Sequence, residues 1–283
     1  MIPLTDLGSA QYLSFAGGLY PNGENSRPSV YEDAGVTLGA TVQPLDEDGK
    51  SSPCGKIGMI SIGMSNASRE FSQFIRLANA DACKNPRLLM IDAALNGADA
   101  TKIALPSGDY WKHVGRQLQC GGITAAQIQV VWLKTALAHE ARGFPENARV
   151  LQQSLRAIVE ILRAKFPQLK LVYLSSRIYG GYSETDLSPE PIAYESGFAV
   201  KWLIEEWINS QSPDRSRPWL SWGAYLWANG VTARSDGLIW ERSDVEADGV
   251  HPSAKGSLKA AKMLLEFFQQ DTAAKPWFLS STS

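Results

Sequence analysis

Near its C-terminus the chain runs Asp248-Gly249-Val250-His251-Pro252-Ser253, just ahead of a segment with helical periodicity. Three-residue spacing in a loop lets one carboxylate accept from the imidazole Nδ1–H. That contact fixes the tautomer and leaves Nε2 facing outward as a base. The chain has only 3 histidines, so one in this setting carries weight. A base needs a proton to remove, and Gly63-Met64-Ser65-Asn66 supplies a hydroxyl where a buried strand passes into a helix. A serine there sits at the positive end of the helix dipole, and its own N–H lacks an intrahelical partner. Both features suit a nucleophile whose attack creates an oxyanion. Ser65 or Asn66 acting only as a helix cap is the plainer alternative. Asn96-Gly97 follows a second strand, where glycine allows close backbone approach and offers an N–H donor.

The elements that must position these residues alternate. Lys56–Ile62, Arg87–Ile91, Ile128–Leu133, Leu169–Leu174 and Trp219–Trp227 read as strands. Between and after them, Phe71, Phe74, Ile75 and Ala78 fall at helical spacing. So do Ala148, Leu151, Leu155, Ile158 and Leu162, the stretch Tyr194–Ile208, and Leu258, Ala261, Leu265 and Phe268. Strands separated by helices predict an α/β fold, a three-layer α/β/α sandwich on a mostly parallel sheet. Sites in such sheets form beyond the carboxyl ends of the strands. The first 55 residues are rich in Gly, Pro, Asn and Asp. They read as turns and short antiparallel strands, an N-terminal extension packed on a core domain over 56–270, with a tail over 271–283. An excursion through Pro106, Tyr110, Trp111 and Gly121–Gly122 separates the second strand from the third.

Composition narrows the function. With 283 residues, 44% of them hydrophobic, the chain makes one large or two small globular domains. A net charge of −2 leaves no basic footprint for nucleic acid, and no apolar run approaches the ~20 residues that span a bilayer. Cys54, Cys83 and Cys120 are too scattered for a zinc pattern, although one disulfide could form. His113, His139 and His251 lack metal-ligand spacing, and no dinucleotide fingerprint follows a strand, so neither metal nor cofactor is expected. The start shows no basic segment followed by an apolar one, hence no signal peptide; the compartment stays open, with a mature secreted or periplasmic chain and a cytoplasmic one both compatible.

The blocks Gly63-Met64-Ser65-Asn66, Asn96-Gly97 and Asp248-x-x-His251, in that order on an alternating α/β chain, resemble the SGNH (GDSL-type) hydrolases across roughly residues 56–270. The resemblance implies a serine esterase needing no cofactor. Ser65 would be the nucleophile, His251 the base and Asp248 its orienter, with the N–H groups of Ser65 and Gly97 in the oxyanion hole. One block departs from the family: its third reads Gly-x-Asn-Asp, whereas this chain has Lys134-Thr135-Ala136-Leu137. The Asn falls at Ala136, which has no donor to offer, and one lost oxyanion donor typically costs about 2.7–4 kcal/mol. Lys134 is expected to supply a replacement donor; an Asn from elsewhere, or weak or absent catalysis, are the other outcomes. Asn66, Asn96, Arg177 and Trp222 are the expected substrate-binding residues. Arg177 would hold an anionic group or pair with Glu190 or Glu195, and Trp222 would form part of a flat rim for sugar rings. The implied substrate is an acyl ester, with acetyl as the acyl group and a carbohydrate as the alcohol. The alternatives are a non-catalytic carbohydrate-binding protein and an acyltransferase.

Overall fold

The computed structural model describes residues 1–139, 142–210 and 217–280. Its elements run α1 (Leu4–Leu7), β1 (Gln11–Tyr12), β2 (Phe15–Ala16), α2 (Ser29–Gly39), β3 (Ile57–Gly63), α3 (Ser65–Ala80), β4 (Leu88–Asp92), α4 (Ala100–Ile103) and α5 (Asp109–Cys120). They continue with β5 (Ile128–Lys134), α6 (Glu146–Lys165), β6 (Leu171–Leu174), α7 (Ile192–Asn209), β7 (Trp219–Trp222), α8 (Ala254–Gln270) and α9 (Lys275–Phe278). The five strands β3–β7 form one parallel sheet in the order β4-β3-β5-β6-β7. All residues of β3, β5, β6 and β7 are buried, as expected of a sheet covered on both faces. Helix layers cover each face: Leu155, Ile158 and Leu162 of α6 and Phe198 of α7 belong to one apolar cluster, Phe71 and Phe74 of α3 and Leu264 and Phe268 of α8 to the other. The chain is therefore the α/β sandwich its sequence predicts.

The strand order reverses between β3 and β5. β3 and β4 progress toward one edge of the sheet, and β5, β6 and β7 toward the other. A crevice opens at such a switch point, beyond the carboxyl ends of the strands. Ser65 lies directly past β3, so the topology delivers it to the mouth of that crevice.

Three regions hold elements that the sequence reading did not assign. The extension has its short hairpin, β1 with β2, but also the eleven-residue helix α2. Gly35 hides that helix in the sequence, yet it is there for packing: a Cβ would run into the ring of Trp219. The excursion after β4, to which the sequence reading assigned no element, holds α5, whose Tyr110, Trp111, Val114 and Leu118 are buried. The segment read as a tail instead carries α9. Its Trp277 and Phe278 are wholly buried and pack on Phe268, with Phe278 also stacked on Phe74, while 281–283 lie outside the described residues.

Candidate active site

Ser65 opens α3, and His251 comes from the loop before α8, a separation of 186 residues along the chain. The fold brings them together: Ser65 Oγ lies 2.8 Å from His251 Nε2. On the far side of the ring, His251 Nδ1 lies 2.5 Å from Asp248 Oδ2. An ionised carboxylate can only accept, so Nδ1 carries the proton and Nε2 presents a lone pair to the serine hydroxyl. The arrangement can therefore move a proton from Oγ to the imidazole while the carboxylate steadies the imidazolium that forms.

The loop that carries the pair is tightly specified. Asp248 Oδ1 accepts from the backbone N–H groups of Val250 (2.9 Å) and His251 (3.0 Å), curling the loop around its own side chain. The His251 carbonyl accepts from the Glu246 N–H (2.8 Å), and the Asp248 carbonyl from the Glu184 N–H (3.2 Å). Gly249, between them, has φ +67°, and any Cβ there would run into the Tyr182 carbonyl. Gly249→Ala must therefore push the loop off Tyr182 and drag Asp248 and His251 with it. The expected result is a loss of at least about a hundredfold in any reaction that depends on the Ser65–His251 pair, such as covalent labelling of Ser65 by a serine-directed probe, the scale of a misplacement near 1 Å. Assay of the purified, folded variant checks it.

Burial raises the Asp248 pKa, but the hydrogen bond from the His251 ring and those from the Val250 and His251 N–H groups outweigh it. The result lies well below the usual aspartate range, at about 2. A carboxylate depressed in the folded state stabilises the fold above its unfolded value of about 3.9, and that contribution is lost as pH falls through about 2. Titration of the labelled Asp248 carboxyl carbon by NMR should give a midpoint of about 2 in wild type. In His251→Ala the midpoint should move up toward the ordinary aspartate range, because the ring's hydrogen bond is gone.

The other predicted residues divide. Asn96 and Gly97 are exposed at the mouth of the crevice, after β4. Asn66 is a correction: it is buried, and its Nδ2 donates to the Val250 carbonyl (3.0 Å). It ties the start of α3 to the histidine loop instead of facing substrate. Lys134 is another. Its ammonium is buried and donates to both carboxylate oxygens of Glu70, each at 2.5 Å, so it is committed inside the protein and not free for an oxyanion. Burial pushes the Glu70 carboxyl up and the Lys134 ammonium down, and their mutual attraction offsets part of each shift. Trp222 is 1% exposed and its indole N–H donates to the Leu19 carbonyl, which makes it core rather than rim. Arg177 is buried and reaches neither Glu190 nor Glu195 among the described contacts.

Two supports escaped sequence reading. Asp92, the last residue of β4, accepts from the hydroxyls of Ser61 (2.6 Å), Ser68 (2.5 Å) and Ser72 (3.0 Å), pinning the first turns of α3 to the sheet. The Tyr110 hydroxyl accepts from the Gly63 N–H (3.0 Å) where the chain leaves β3. A carboxylate at a strand end was the only legible sign of either. No group of three or more metal-ligating side chains occurs among the described residues, and none of their helices is long and apolar enough to cross a membrane.

No family model and no curated protein matches this chain. Solved structures do. A carbohydrate esterase family 3 protein from Talaromyces cellulolyticus is 16% identical, with a TM-score of 0.41, over 73% of this chain and 93% of that one. The acetylxylan esterase Axe2 from Geobacillus stearothermophilus is 13% identical, with a TM-score of 0.43, over 76% and 94%. A GDSL-like lipase from Bacteroides thetaiotaomicron is 10% identical, with a TM-score of 0.38, over 83% and 95%.

Proposed function

We propose that this chain is a serine esterase working through an acyl-enzyme. The observation that carries the reading is the continuous line Ser65 Oγ–His251 Nε2–His251 Nδ1–Asp248, with contacts of 2.8 and 2.5 Å. Ser65 Oγ attacks the ester carbonyl while His251 Nε2 takes its proton. The carbonyl oxygen becomes an anion facing the N–H groups of Ser65 and Gly97. His251 then gives the proton to the departing alcohol oxygen, leaving the acyl group on Ser65. Water enters, loses a proton to His251, and releases the acid as Oγ regains its hydrogen. No cofactor takes part in these steps.

With Ala136 in place of a side-chain donor and Lys134 held by Glu70, the oxyanion hole in this reading rests on backbone donors. An enzyme of this build is slower than one with a third donor by about 100–1000-fold. We take acetyl as the acyl group and a carbohydrate as the alcohol from the family resemblance alone, because the Trp222 platform that had suggested sugar rings is buried. The test is acetate release from acetylated xylo-oligosaccharides and from para-nitrophenyl acetate. Release from both supports the reading, release from the aryl ester alone retains the esterase and removes the carbohydrate, and release from neither overturns it.

A further inference from the structure

Beyond β5 and β6, next to the crevice, lies a group of buried polar side chains that the mechanism above does not use. Arg177 is 3% exposed, yet its Nε has no hydrogen-bond partner, and its guanidinium makes no hydrogen bond or ion pair among the described residues. The buried hydroxyls of Thr135 and Ser176 are also unpartnered. A guanidinium carries five donors and cannot shed its charge, so burying its Nε–H without an acceptor is costly.

The nearby carboxylates do not fill the role. Glu70 is engaged through both oxygens by Lys134. Glu190 accepts from the Gly180 N–H (2.9 Å), the Trp227 indole N–H (2.7 Å) and the Tyr194 N–H (3.0 Å). Both act on Arg177 only through their fields: burial pushes the guanidinium down and the two negative charges offset part of that. The Arg177 backbone is meanwhile anchored, its N–H donating to Ser196 Oγ (3.3 Å). A rigidly rooted, buried cation with its donors unspent is a socket for an anion.

Along the carboxyl edge of the sheet the order is β3, β5, β6, so Ser65, Thr135 and Arg177 follow one another across about two strand spacings, near 10 Å. That distance is between backbone positions, and the Arg177 stem, the hydrogen bond and an extended acyl or alcohol group on Ser65 together are long enough to cross it. We infer that Arg177 binds a carboxylate carried by the ester substrate. The preferred substrates are then anionic esters, with the charge on the acyl side, as in a succinyl half-ester, or on the alcohol side, as in an acetylated uronic acid. This inference rests on the esterase reading for its substrate but not for its binding site.

Two measurements on the whole chain test it. In the first, kcat/KM is compared for para-nitrophenyl hemisuccinate against para-nitrophenyl acetate, and for acetylated glucuronate against acetylated glucose. One of the two pairs should favour the charged member by about tenfold to a hundredfold, the worth of a charge-assisted hydrogen bond. Which pair responds tells on which side the carboxylate sits. Arg177→Met should bring that ratio to about one, and Arg177→Lys should recover part of it. Equal or poorer turnover of both charged members by wild type overturns the inference while leaving the esterase intact.

The second measurement is calorimetric titration of wild type with sodium succinate and sodium glucuronate, with glucose as the uncharged control. It needs no turnover, so a dead enzyme and an absent anion site are told apart, and it needs no variant, so misfolding of Arg177→Met does not block it. Binding of either anion and not of glucose is expected. Binding of neither means that water alone fills the space around Arg177, and the inference falls.

Discussion

Ser65→Ala is expected to lower kcat/KM for a small acyl ester by about four to six orders of magnitude while the protein keeps its fold and melting temperature. The size follows from the chemistry. Without Oγ there is no atom to form the acyl-enzyme, and what remains is binding and whatever the oxyanion donors do for direct attack by water. The fold should survive because Ser65 is only half-buried and its side chain contacts His251 rather than the core. His251→Ala should cost a similar factor, since an unactivated hydroxyl is a poor nucleophile. The double variant should be hardly worse than either single one, because the two residues act as a unit. Additive losses would mean that the two side chains work separately, contrary to a proton passing between them over 2.8 Å.

Lys134→Met is expected to destabilise the protein by about 3–5 kcal/mol, one of the largest effects available to a single substitution here. Lys134 ends β5 beside Gly63, and Glu70 projects from the second turn of α3, so the pair joins the sheet to the helix that Ser65 opens. Both side chains are sealed from solvent, so removing the ammonium strands a buried carboxylate without its hydrogen-bond donor, leaving the field of Arg177 to offset part of the cost. Adding Glu70→Leu should recover most of the loss, because two apolar side chains in place of a buried ion pair are often neutral or better. Urea midpoints at constant slope provide the readout. A single variant within about 1 kcal/mol of wild type would show that the pair is not held as the geometry describes.

How legible all this was in sequence depends on the range of the interaction. Strands buried on both faces announce themselves as apolar runs, and β3 and β5 lie within a residue of the segments read from sequence. The Asp248–His251 loop was legible because its hydrogen bonds close within three residues, and its partner Ser65 because a strand end meeting a helix start is a local signal. Lys134 was misread for the opposite reason. Its neighbours mark a strand end facing a crevice, and only the fold reveals a carboxylate waiting 64 residues away. Trp222 was misplaced because the run Trp219–Trp227 holds both a strand and the turn after it, and nothing in the alternation says which aromatics face inward. In α2, a glycine that permits close packing on Trp219 sat in a stretch whose Gly and Pro content read as turns.

The central claim is that Ser65 is an activated nucleophile, and covalent labelling by a fluorophosphonate tests it most directly. Intact mass of wild type after treatment should show a single adduct, peptide mapping should place it on Ser65, and Ser65→Ala should remain unlabelled. His251→Ala, which keeps the hydroxyl but removes its base, should label far more slowly. An unlabelled wild type that is folded by circular dichroism, or an adduct on any other residue, would contradict the account.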